Sequence, residues 1–317
     1  MPPAPVHTPL IVIAGPTAVG KTAAGIALCR ALDGELISAD SMQVYRGLDI
    51  GTAKPTAGER CGVPCHLIDI LDPTEEFSAA RFCALAAAAA ADIRARGRAA
   101  VMAGGTGLYL KSYLYGLFEQ PSRDPAVRRQ LRERLRADGP EALHRQLAAV
   151  DPAAAARIAP ADRVRIERAL EVFLVTGRPI SSWQQQWRQP RPRVEHRLFI
   201  LHLPRPQLYE RINTRVDDML RRGWVEEVRA LLARYPDGSL HCFKSIGYRE
   251  IAAHLRGEIP LGALAEEIKR QTRRFAKRQL TWFRRMAPAR WIDVLGRSPE
   301  DVAEEIMRVQ NCFAPDR

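Results

Sequence analysis

The chain has 317 residues, 46% of them hydrophobic, and a formal net charge of +12. That is enough for one large core, or a core with a smaller second unit. No apolar run approaches the ~18 residues that span a bilayer, and the opening MPPAPVHTP has neither a basic nor an apolar signal region, so membrane and secreted classes are not expected.

Six cysteines stand at 29, 61, 65, 83, 242 and 312. The close pair Cys61 and Cys65, followed by His66, lacks a second ligand pair at zinc spacing. Reduced thiols in the cytoplasm are expected. Positive charge is clustered. Residues 120–197 hold 16 arginines against 9 acids, and residues 269–290 hold 9 lysines and arginines with no acid. Such clusters suit a polyanion such as nucleic acid; solvated helix faces would account for the same residues without a partner.

Along the chain, Leu10 to Ala14 reads as a short buried strand. It runs into Gly15-Pro16-Thr17-Ala18-Val19-Gly20-Lys21-Thr22, which fits G-x-x-x-x-G-K-[ST] at every fixed position. Glycines let successive backbone N–H groups turn inward around a phosphate. The helix starting near Lys21 adds its positive end, and the lysine adds a full charge. The Thr22 hydroxyl is placed to ligate Mg²⁺. Alone, the loop announces a polyphosphate and suggests ATP.

A second strand, Gly34 to Ala39, ends at Asp40-Ser41-Met42-Gln43, and residues 47–58 are too rich in turn formers for regular structure. Cys65 to Ile70 reads as a third strand, 76–95 as a helix, and Arg98 to Ala103 as a fourth strand entering Gly104-Gly105-Thr106-Gly107. Strands alternating with helices indicate a doubly wound parallel α/β sheet, with ligands beyond the carboxyl ends of its strands. The phosphate loop, Asp40 and Thr106 all lie at such ends.

Near residue 118 the pattern changes. Pro121 to Pro125 breaks the chain, and Arg-rich helices follow at 126–137, 140–149 and 162–176. The next strand is His196 to Leu203. The expected organisation is a core of 1–117 and 197–317 carrying a helical insertion of 118–196. A helix at 206–233, a loop at 241–249, a helix through 250–286, a strand at Arg290 to Val294 and a helix at 298–310 complete the reading. On the basic helix at 263–286, Leu264, Ile268, Phe275 and Trp282 are expected to pack into the core. A P-loop kinase would add an acidic Mg²⁺ ligand after a second strand, for which Asp40 or Asp69 could serve. A small-molecule kinase therefore stands at this point.

The motifs together resemble the tRNA dimethylallyltransferases, which prenylate the adenine next to the anticodon. The matching stretches are GPTAVGKT (15–22), ISADSMQVYRGLDIGTAKP (37–55), HLIDI (66–70), AGGTGLYLK (103–111), RIERALEVFLVTG (165–177), IGYRE (246–250) and AKRQLTWFR (276–284). They follow the family's order over nearly the whole chain. Cys65 stands where a second histidine is usual, and Lys244-Ser245 where Gln-Ala is common.

The resemblance implies a P-loop NTPase-like doubly wound sheet with an inserted all-helical, tRNA-binding domain. The loop Gly15 to Thr22 would hold the diphosphate of dimethylallyl diphosphate. Lys21, the loop amides, Mg²⁺ on Thr22 and an arginine would stabilise it as it leaves. A carboxylate is too weak a base to strip the adenine amine beforehand; Asp40 would accept the proton as the C–N bond forms. Thr106 would orient the amine or the diphosphate.

The family's tRNA contacts map to Asp40, Ser41, Met42, Gln43, Thr106, Arg128, Val164, Arg165, Ile166, Glu167, Arg168, Lys244, Ser245, Ile246, Gly247, Tyr248 and Arg249. Of these, Arg128, Arg165, Arg168 and Arg249 are the expected phosphate or base contacts. The partners implied are dimethylallyl diphosphate and a tRNA anticodon stem-loop, with no membrane and no obligate protein partner, the chain working as a cytoplasmic monomer. A prenyl transfer to free adenine nucleotide and a non-enzymatic RNA-binding role are the alternatives. The large basic insertion argues against the first, and turnover depending on Asp40 would exclude the second.

Overall fold

The computed structural model describes residues 9–117, 124–183, 191–236, 240–286 and 288–311. Two compact units make up the chain, Met1–Leu114 with Val194–Arg317, and Tyr115–Arg193. In chain order the first stretch contains β1 (Leu10–Ala14), α1 (Lys21–Leu32), β2 (Gly34–Ser38), α2 (Ala57–Arg60), β3 (Cys65–His66), α3 (Ala79–Ala95), β4 (Ala99–Gly104) and α4 (Gly107–Tyr115). The Arg-rich stretch forms α5 (Pro125–Ala137), α6 (Gly139–Val150), α7 (Pro152–Ala155), α8 (Arg163–Thr176) and α9 (Ile180–Trp183). The chain then makes β5 (His196–His202), α10 (Arg205–Arg221), α11 (Trp224–Arg234), a 3-10 turn (His241–Lys244), α12 (Tyr248–Leu255), α13 (Leu261–Phe283), β6 (Arg290–Asp293) and α14 (Pro299–Asn311).

The sheet is six-stranded and wholly parallel, in the order β3-β2-β4-β1-β5-β6. Side chains alternate across a strand. Ile11, Ile13, Leu36, Val101, Ala103, Phe199 and Leu201 therefore share one core with α1 and α14. Val12, Ile37, Met102 and Ile200, on the alternate positions, are fully buried as well. Both faces are covered, as a doubly wound sheet requires. Register then sets the position of the site. Ala14 lies opposite Gly104, and Ser38 opposite Ala103, so β1, β2 and β4 end level with one another.

Local chemistry redraws some expected boundaries. The third strand stops at His66, because Leu67 and Asp69 take left-handed backbone angles (φ 61° and 58°), and Asp69 and Ile70 donate instead to the carbonyls of Gln43 and Val44. The helix expected over 206–233 breaks at Gly223 (φ 94°) into α10 and α11. The one expected over 250–286 is two, α12 and α13, separated by a turn at Gly257 and by Pro260. On α13 the buried side carries Leu264, Ile268, Ala276, Gln279 and Phe283. Phe275, expected in the core, is 37% exposed. The expected chain break at 121–125 lies, apart from Asp124 and Pro125, outside the described residues, as do residues 1–8 and Cys312.

The helical unit has its own core of Leu131, Leu143, Leu147, Ile166, Leu170 and Val172. Side chains cap the starts of α5, α7 and α8. Asp124 accepts from the N–H groups of Ala126 and Val127, and Asp162 from that of Arg165. No described helix is long and apolar enough to cross a membrane.

Candidate active site

The phosphate loop forms where buried β1 gives way to α1. Gly20 holds a left-handed angle (φ 99°) that turns the chain into the helix, and no side chain caps the helix start. The first-turn N–H groups therefore remain for a ligand. Lys21 Nζ donates to the carbonyl of Pro16 at 2.7 Å. Burial, reinforced by the Arg215 guanidinium, pulls the Lys21 ammonium down to about 7, while Asp40 pulls it the other way.

Beyond β2, Asp40 Oδ1 accepts from the N–H groups of Met42 at 2.8 Å and Gln43 at 3.3 Å. This turn holds the carboxylate at the strand end, and neither bond engages Oδ2. Thr106 Oγ1 accepts from Ser41 N–H at 3.2 Å, which ties the loop after β4 to the loop after β2. Gln43 Nε2 donates to the carbonyls of Thr52 (3.1 Å) and Ala53 (3.2 Å).

Helices α10 to α13 supply the remaining walls of a cavity of about 840 Å³. Thr17, Ala18, Gly20, Lys21, Thr22, Asp40 to Gln43, Thr106, Lys244 to Ile246 and Tyr248 all line it. Gly15, Pro16 and Val19 are buried. Arg215 and Arg222, which line the cavity too, were not singled out from the sequence, and Arg278 and Gln279 lie in the 276–284 stretch with no role assigned to them there. Burial pulls the Arg215 guanidinium down, and the Asp40 and Glu59 carboxylates hold it up. Arg278 stands over the Phe275 ring, 5.7 Å from its centroid, so that the exposed aromatic belongs to the cavity wall.

One helix shapes two loops of this wall. Glu227 on α11 accepts from the N–H groups of Asp49 (2.8 Å), Ile50 (2.7 Å) and Gly51 (3.2 Å), and from the Tyr248 hydroxyl at 2.6 Å. Trp224, one turn earlier, packs so closely on Gly51 and Gly247 that a Cβ at either would overlap its indole.

The expected contacts at 128 and 164–168 belong to the helical unit. Ile166 is fully buried among its core residues. Arg128 Nε donates to Glu171 Oε1 at 2.8 Å, and Arg168 to Oε2 at 2.6 Å. Burial works against the Glu171 carboxylate, but these two arginines hold it below its ordinary range. Glu167 pairs with Arg132 at 3.3 Å. Val164 is 78% exposed and Arg165 is exposed. In the larger unit, Arg249 is exposed and pairs with Glu250, while Gly247 and Tyr248 are buried.

Among the described residues, no group of three His, Cys, Asp or Glu side chains is placed to hold a metal ion. Oxygen donors lining the cavity include the Thr22 hydroxyl in the first turn of α1 and the Asp40 and Glu59 carboxylates.

Comparison with known proteins gives a consistent result. The family model described as IPP transferase matches residues 43–286, and one described as isopentenyl transferase matches residues 8–69. The tRNA dimethylallyltransferase of Geobacter metallireducens is 49% identical over 92% of this chain and 94% of its own length. That of Syntrophobacter fumaroxidans is 51% identical over 91% and 84%. Among solved structures, a tRNA delta(2)-isopentenylpyrophosphate transferase from Staphylococcus epidermidis superposes with a TM-score of 0.71 at 38% identity, covering 97% of this chain and all of that one. A eukaryotic dimethylallyltransferase acting on tRNA superposes with a TM-score of 0.80 at 28% identity, covering 96% of this chain and 79% of that one. With the model matching well over half of its length and such relatives along nearly all of it, the chain belongs to the IPP transferase family, among the tRNA dimethylallyltransferases.

Proposed function

We propose that this chain transfers a dimethylallyl group from dimethylallyl diphosphate to the exocyclic amine of the adenine 3′-adjacent to the anticodon in tRNA, releasing diphosphate. The observation that carries the reading is the convergence of Lys21, Arg215, Asp40 and Thr106 on one cavity at the level ends of β1, β2 and β4. Two cations face the place where negative charge grows as the allylic C–O bond breaks. The carboxylate stands where an amine could lose its proton as the C–N bond forms. Thr106 Oγ1 already accepts a bond, so its own O–H is left to donate to substrate.

Mg²⁺ fits this donor set, because a hard cation takes hydroxyl, carboxylate and phosphate oxygens and keeps part of its water. The Thr22 hydroxyl would hold it with the diphosphate, and the ion when bound would neutralise charge on the leaving group. The exposed arginines of the helical unit, Arg129, Arg136, Arg163 and Arg165, would grip the anticodon stem by its phosphates. An adenine drawn from a folded loop costs a few kcal/mol of stacking, and such contacts offset it. Lys244 to Arg249 would meet the RNA at the cavity. The chain would act as a monomer in the cytoplasm, where tRNA is met.

The test is a nucleoside digest. Unmodified tRNA is incubated with the protein, dimethylallyl diphosphate and Mg²⁺, and its adenosines are weighed. One adenosine heavier by a single dimethylallyl group is expected. Its absence while tRNA is bound would overturn the reading, and AMP serving as well as tRNA would move it to a nucleotide acceptor.

A further inference from the structure

We propose that Gln279 sets the length of phosphate chain that the loop accepts, admitting a diphosphate and excluding a triphosphate. The proposal deepens the reading of the loop as a diphosphate site and rests on it.

Gln279 projects from α13, lines the cavity and is 7% exposed. Its Oε1 accepts from the N–H of Thr17 at 2.9 Å, and its Nε2 donates to the carbonyl of Gly105 at 2.9 Å. One end meets a donor and the other an acceptor, so the carboxamide can point only one way. It bridges the loop after β1 to the loop after β4.

A phosphate loop works through successive inward N–H groups and its lysine. In a nucleoside triphosphate site the amides cradle the inner phosphates, and the lysine reaches toward the outermost one. Here the Thr17 N–H, third in the loop, is already taken by a side chain. Lys21 Nζ lies folded onto the adjacent Pro16 carbonyl. The 16–17 side of the loop is thus closed by protein atoms, while the uncapped start of α1 stays available. Displacing Gln279 would leave the carboxamide and the Gly105 carbonyl without partners in a buried place, which is costly.

Charge points the same way. Lys277 and Arg278, the two residues before Gln279, are exposed, Arg278 on the cavity wall, while the buried position 279, bonded to the loop itself, carries a neutral side chain. An arginine or lysine there would attract a third phosphate. The carboxamide adds no charge of its own at the Thr17 N–H to those of Lys21, Arg215, Arg222 and Arg278 elsewhere on the cavity wall.

The test uses the full chain with Mg²⁺ and measures binding of inorganic pyrophosphate and inorganic tripolyphosphate by calorimetry. Wild type should bind pyrophosphate at least tenfold more tightly. In Gln279→Ala that preference should shrink by about tenfold, with tripolyphosphate gaining in absolute affinity, as expected when one excluded group regains a charge-assisted hydrogen bond. Gln279→Glu keeps the bulk and the acceptor for Thr17 and should still exclude tripolyphosphate. If Gln279→Ala does not fold, Gln279→Asn, which withdraws the carboxamide by one methylene, carries the same expectation. A folded Ala or Asn variant with an unchanged preference overturns the proposal, as does a Glu variant that admits tripolyphosphate. A wild type that binds both polyphosphates equally overturns the role of Gln279 alone; one that binds neither pyrophosphate nor dimethylallyl diphosphate overturns the diphosphate reading itself.

Discussion

Both units of the chain are rich in arginine, yet they use it differently. In the larger unit Lys21 and Arg215 line a cavity, and burial there weakens their hold on their own protons. In the helical unit Arg128 and Arg168 are tied to Glu171, which is fully buried, and Arg132 to Glu167. The first arrangement leaves desolvated cations on a cavity wall; the second uses them to hold helices together. A count of arginines does not distinguish them. The partner of each one does.

The largest effect expected concerns Asp40. Asp40→Asn keeps the Oδ1 acceptor for Met42 and Gln43 but cannot take a proton, so kcat should fall by roughly 10³ while tRNA affinity persists. Single-turnover prenylation beside filter binding measures both, and a parallel loss of tRNA affinity would remove Asp40 from the chemistry.

Next comes Lys21, whose ammonium sits at about 7. A bound diphosphate needs that ammonium, and the protonated fraction of the free protein falls as pH rises through 7. Diphosphate affinity should therefore weaken above pH 7 by about tenfold per pH unit. Lys21→Arg, whose guanidinium stays charged, should flatten the profile. An equal slope in the variant would assign the pH dependence to another group.

Arg168→Ala should destabilise the helical unit by about 2 kcal/mol, less than the full cost of breaking a buried pair because Arg128 still reaches Glu171. Denaturant unfolding reads this. Arg163, exposed and without an acid partner among the described residues, should give the smallest effect. Arg163→Ala should leave stability unchanged, reduce tRNA affinity a few-fold and lower the salt slope by about 1. Stability lost at Arg163, or tRNA affinity lost at Arg168 with stability intact, would dissolve the contrast between the units.

The sequence made the sheet and the phosphate loop readable because both are local. A β-branched run, a fixed glycine spacing and a strand-end acid each declare themselves within a few residues. Arg215 could not be found that way, and Gln279, though inside the 276–284 stretch, could not be given a role. They occupy ordinary helix positions among many polar neighbours, and only the packing of α10 and α13 against the strand ends brings them to the loop. A motif match covers every residue in a window, whereas a helix buries only the residues three and four apart on one face, so Ile166 is packed in the core while Val164 and Arg165 are exposed. Phe275 was placed in the core because helical spacing alone does not say which of two adjacent stripes is covered. The third strand was read too long, because nothing in Leu67 or Asp69 announces a left-handed backbone.

Trp224 carries a further consequence, for anyone recombining this chain with its relatives. Its indole leaves room for no side chain at Gly51 or at Gly247, and Glu227, three residues on, anchors the 49–51 segment and Tyr248 together. Segments almost two hundred residues apart are therefore a single unit of exchange. A chimera that imports residues 48–55 or 245–249 without a matching residue 224 should misfit. Among functional variants, a substitution at 51 should arrive together with one at 224, whereas Gly247, held at a φ of 88°, should stay glycine.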